Sequence, residues 1–70
     1  MEKIIHEART RGNRYTIVLS QANNSFNVNE FEHGYIQGMY STSSLNKALD
    51  WFHNRIEGSK EDGINYIIQK

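Results

Sequence analysis

The chain has no cysteine, its 8 lysines and arginines balance its 8 aspartates and glutamates, and its 70 residues contain no long apolar run. Each absence excludes something. Without cysteine there are no disulfides and no thiolate metal ligands. The three histidines are scattered along the chain, so a structural zinc is not expected, and no cofactor is implied. A formal charge of zero argues against a protein that coats DNA or an anionic membrane through bulk charge. No stretch approaches the roughly 20 apolar residues that cross a bilayer. The segment Met1-Glu2-Lys3-Ile4-Ile5-His6-Glu7 has no apolar core of a signal peptide, so the expected location is cytoplasmic.

Seventy residues allow one domain, 1–70, and no second core. A chain this short buries only about 60% of the surface its unfolded form exposes, so its stability margin is thin. Small domains compensate with disulfides, a metal or self-association. With the first two set aside, self-association gains weight.

Within those limits the chain is well patterned. Tyr15, Ile17 and Leu19 share one face of a period-two segment. Asn23-Asn24 follows as a turn pair tolerant of positive φ. Phe26 and Val28 then alternate with Asn27 and Asn29, a strand with one wet face. His33-Gly34 is a second turn, and Tyr35–Tyr40 a further strand, in which Gly38 marks a bulge or a close packing point. Residues 3–9 fit a strand joined to Tyr15–Leu19 through Thr10-Arg11-Gly12-Asn13. They also fit a short helix, with Ile4, Ile5 and Ala8 on one side; the hairpin chemistry of Gly12-Asn13 favours the strand.

From Ser41 to Gly58 every local signal is helical. Ser41 serves as N-cap, with Tyr40 and Leu45 placed as a hydrophobic staple. Leu45, Ala48, Leu49, Phe52 and Ile56 form an apolar stripe. Arg55 suits the negative helix end, and Gly58 a C′ position. After an Asp62-Gly63 turn, Ile64–Ile68 reads as a strand apolar on both faces. The expected fold is therefore α+β: a small antiparallel meander of three to four strands, one amphipathic helix (about 42–57) on one face, and a short C-terminal strand.

Candidate chemistry is sparse. Asp50 and His53 stand three apart on the helix, half of a general-base pair, but on the face expected to meet solvent; no enzyme is expected. Arg9, Arg11 and Arg14 cluster about the Gly12 turn. Between Tyr15 and Asn46 the only charged residues are Glu30 and Glu32. With Tyr15 and the other sheet aromatics, those arginines are candidate contacts for single-stranded nucleic acid. Trp51 lies off the stripe beside Arg55, a composition suited either to an interface anchor or to a lid on the core. Ile67 points away from Tyr66, on a face that nothing else covers. Trp51, Arg55, Tyr66 and Ile67 are therefore the candidate protein-interface residues.

In size and layout alone the chain resembles the small inhibitors of phages, such as anti-CRISPR proteins; no motif carries the resemblance and no residue is transferred from it. A double-stranded-RNA-binding domain shares a helix–strands–helix order, but Ser43-Ser44-Leu45-Asn46-Lys47 stands where that family has a lysine-rich helix start. The expected function is a non-enzymatic protein-binding module of accessory or inhibitor kind, encoded by a phage or mobile element and forming a homodimer. The alternative is a single-stranded nucleic-acid binder.

Overall fold

The computed structural model describes residues 2–69. Four strands run in order as β1 (Glu2–Thr10), β2 (Tyr15–Ala22), β3 (Ser25–Glu32) and β4 (Tyr35–Thr42). The helix α1 (Leu45–Glu61) and a three-residue strand β5 (Tyr66–Ile68) follow. All pairings are antiparallel and the sheet order is β4-β3-β2-β1-β5. Residues 3–9 thus form the strand, and the expected meander is complete with four strands plus β5.

The turns follow from their residues. His33 and Gly34 take φ of 52° and 82°, the double positive φ that lets a two-residue hairpin keep the twist of its strands. The longer Arg11–Arg14 loop is closed by the Asn13 amide on the Thr10 carbonyl at 2.9 Å, with Gly12 at 85° in the third turn position and Asn13 following at 61°. Asn23 supplies a single positive φ of 54° between β2 and β3.

One face of the sheet carries α1. Ala8, Ile17, Leu19 and Val28 meet Ala48, Phe52 and Ile56 in the core. Burying these against one another is the main force holding so small a chain together. Trp51 closes the margin of this layer: its ring stacks on Tyr40 at 5.4 Å and 10°, with the Arg55 guanidinium 5.8 Å from its ring centre.

The helix boundaries differ from the sequence reading. Ser41 is not the cap, because Ser41 and Thr42 stay paired with Asn27 and Phe26 in the sheet. Ser44 caps instead, its Oγ accepting from the Lys47 amide at 3.3 Å. Four consecutive hydroxyl residues offer equivalent local caps, and the sheet register selects the last. With the cap moved, the staple of Tyr40 and Leu45 is lost, and Leu45 is left 40% exposed. At the other end α1 runs through Gly58 to Glu61, and Gly63 takes the left-handed turn with φ 78°. The stripe gains one more buried residue, Ser59, whose hydroxyl donates to the Arg55 carbonyl. Arg55 is consequently not in the last turn; Lys60 is the cation there.

Candidate interaction surface

The strand register decides which side chains share the uncovered face of the sheet. Cross-strand partners point the same way. Val18, Asn29 and Met39 therefore form one row, and Ile67, Arg9, Thr16, Phe31 and Ile36 the next. No element crosses this face among the described residues. Met39 is 71% exposed, Ile67 59% and Ile36 50%. Phe31 and Val18 are half-buried between their neighbours. The apolar part of the face is thickest toward β4, where Phe31, Ile36 and Met39 adjoin. Beside them Asn29 Oδ1 is buried and receives no hydrogen bond from the described residues, a costly state for an amide oxygen.

The two margins of the sheet are unlike. β5 is short, which limits how much of its outer edge another strand can use. β4 is eight residues long, Tyr-Ile-Gln-Gly-Met-Tyr-Ser-Thr, with no charge and no proline. Its one irregularity is a bulge at Gln37, where Gly38 faces Glu30 and Ile36 faces Phe31. Gly38 serves a second purpose there. A Cβ at Gly38 would lie 3.2 Å from Glu30 Oε2, so the bare backbone leaves room for that carboxylate.

Glu30 uses the room to hold Arg55. Arg55 Nε donates to both carboxylate oxygens at 3.1 Å and Nη2 to Oε1 at 2.8 Å. That fork raises the Arg55 pKa above its ordinary value. Arg55 is thereby committed to tying α1 to β3, with its outer side open to solvent. Tyr66 packs against the core from β5, and burial, with Glu30 nearby, pushes its phenol pKa up. Of the four interface residues expected from sequence, Arg55 and Tyr66 line one hollow of about 280 Å³ together with Glu30. Trp51 sits over Tyr40 at the helix side of β4. Ile67 lies at the far margin of the open face. They do not make one patch.

The arginine cluster is also divided. Arg9 is on the open face and pairs with Glu7. Arg14 donates to Glu32 at 2.9 Å, which raises the Arg14 pKa, and it lies 5.1 Å from the centre of the Tyr15 ring. Arg11 makes no ion pair among the described residues. Arg11, Arg14 and Tyr15 do line a second hollow of about 270 Å³. The aromatics are split between the faces: Phe26 and Tyr40 pack on the core, Phe31 is on the opposite side, and Tyr35 is exposed beyond the helix.

Asp50 and His53 are both exposed; His53 lies edge-on to Phe52 and 6.4 Å from the His6 ring. Among the described residues no group of three His, Asp or Glu converges as a metal set, and no helix is long and apolar enough to cross a membrane. Comparison with protein-family models, curated proteins and solved structures finds no match.

The sequence reading missed Ile36 and Met39, and counted Phe31 only among the sheet aromatics proposed for nucleic acid. A signal for them exists. Alternation places Ile36 and Met39 opposite Gly38 and Tyr40 once the bulge is counted, and the uncharged run through β4 marks the edge.

Proposed function

We propose that this protein is a non-enzymatic protein-binding module, of accessory or inhibitor kind, that meets its partner through the uncovered face of the sheet. One observation carries this reading: Phe31, Ile36 and Met39 form an apolar cluster at the β4 margin that none of the other described residues covers. Apolar side chains gathered on one face, rather than scattered singly, mark interaction sites. The polar neighbours Asn27, Asn29, Ser41 and Thr16 give that cluster the mixed rim typical of protein interfaces. The nucleic-acid reading has less support, because Arg9 and Arg14 are engaged by Glu7 and Glu32 and the sheet aromatics do not share a platform. The phage or mobile-element setting rests on size and layout alone.

Photo-crosslinking in the protein's own host tests the reading. A benzophenone side chain at Ile36 is expected to give one discrete adduct with another protein, competed away by excess unmodified chain. The same group at Asp50, on the outer face of α1, is expected to give none. Equal labelling from both positions, or none from Ile36, contradicts it.

A further inference from the structure

The same cluster lies against an open strand edge, and the two features together identify a partner. We infer that β4 pairs with β4 of a second copy of this chain, antiparallel about a two-fold axis at Met39, to make one continuous ten-stranded sheet. This rests on the reading of the open face as the binding surface and specifies how that surface is completed.

The backbone supplies the first argument. In β3 the residues pairing with β4 through their amides are fixed by the register, because antiparallel ladders alternate bonded and non-bonded pairs. The two-residue turn at His33-Gly34 makes Glu32–Tyr35 a bonded pair. Glu30, Val28 and Phe26 follow, facing Gly38, Tyr40 and Thr42. The amides of Ile36, Met39 and Ser41 are thereby turned to the outside of the sheet. Met39 is the outward-turned residue nearest the middle of the strand. A two-fold axis there sets Met39 against its own copy; Ser41 then falls opposite the bulge at Gln37, beyond which Ile36 is the next outward amide.

Charge supplies the second argument. A two-fold pairing opposes like residues, so any charge near the axis would face its own sign across the interface. β4 has none, and the whole chain is formally neutral. Natural edges are guarded with lysine, proline or short length; β5 is short, and β4 has none of these guards beyond its bulge.

The apolar cluster is, in addition, one-sided. Phe31, Ile36 and Met39 stop at the margin of one copy. Across the proposed axis the two Met39 side chains meet, and Ile36 and Phe31 of each copy flank that pair on opposite sides, so the two half-patches join through Met39. The binding face is thus incomplete in a single chain. A strand of eight residues is about 27 Å long, so pairing covers only a few hundred Å² on each copy, less than the roughly 1,000 Å² in total of a stable interface, and the dimer is expected to be weak and reversible.

Sedimentation equilibrium of the full chain from low to high micromolar concentration tests this directly. The expected result is a monomer–dimer equilibrium that Met39→Lys shifts to monomer, with an unchanged far-ultraviolet circular dichroism spectrum. Ile67→Lys, at the opposite edge, is expected to leave the dimer intact. A second variant guards against a misfolded first one. Bonded antiparallel pairs hold Cα atoms about 5.5 Å apart, within disulfide reach. Met39→Cys is therefore expected to form a disulfide dimer under mild oxidation, and Ile67→Cys to remain monomeric. A wild-type chain monomeric throughout, a dimer lost with Ile67→Lys but kept with Met39→Lys, or equal oxidation of the two cysteine variants would overturn the inference. Crosslinking from Ile36 to a different protein alone, with no dimer, would leave the binding reading standing and remove this one.

Discussion

Gly58 shows how much a single position can decide. It stands inside α1, four residues before the C-cap Asp62, and a Cβ built there meets nothing within 4 Å. A glycine in a helix interior costs roughly 0.5–1 kcal/mol relative to alanine because its backbone loses more freedom on folding. Gly58→Ala is therefore expected to raise the melting temperature, by about 4–8 °C per kcal/mol in a domain of this size. Thermal unfolding followed by circular dichroism checks it. A lowered melting temperature would mean that Gly58 ends the helix in the left-handed conformation, and that α1 stops a turn early. Gly38 is the opposite case, because its missing side chain is occupied by the Glu30 carboxylate that grips Arg55. The two glycines look alike in the sequence. The register of β3 against β4 makes the difference: a methyl group has open space at Gly58, and at Gly38 it fits only if the Glu30 carboxylate shifts.

At the scale of elements, α1 is held by Phe52. Its ring is fully buried between Ala48, Ile56 and the β1–β3 side chains, and His6 stacks on it at 5.7 Å. Truncating a buried phenylalanine costs about 3–5 kcal/mol, most of the stability of a small domain. Phe52→Ala is expected to leave the chain largely unfolded at 37 °C, and Leu45→Ala, at a position open to solvent, to cost less than about 1 kcal/mol. Chemical denaturation of both variants tests the stripe, and comparable losses would contradict it. The existence and order of the elements were legible in the sequence because period-two runs, paired turn residues and the helical stripe agree with one another. The helix ends were not. Ser41 and Ser44 are equivalent as caps, and the choice between them is made by hydrogen bonds to β3, which is distant in sequence from the helix it limits. The terminal strand was legible as apolar on both faces, and the structure gives the reason: Tyr66 turns to the core while Ile67 turns to the open face. The candidate site was less legible. Arg9, Arg14 and Arg55 read as free cations along the chain, and each finds its acid through tertiary pairing. Phe31 was grouped with Phe26 and Tyr40 as one set of sheet aromatics, although the alternation of β3 puts it on the side of Asn27 and Asn29, opposite Phe26 and Val28.

At the scale of the whole molecule, the fold is two layers with three of their four broad surfaces accounted for. The helix covers one face of the sheet, its own outer side is polar, and β5 is a short edge. What remains is a single L-shaped region, the open face and the outer side of β4, meeting at Ile36 and Met39. Binding through the sheet requires that another chain occupy that region. Amide hydrogen exchange measured at low and at high micromolar protein concentration is the most direct test. The outward amides of Ile36, Met39 and Ser41 are expected to exchange rapidly in dilute solution and to slow as concentration rises, with Met39 slowing most. The amides of Gly38 and Tyr40, already bonded to β3, are expected to be insensitive to concentration. Exchange at Met39 that is equally fast at both concentrations, or protection that grows at Tyr66–Ile68 instead, would contradict the account.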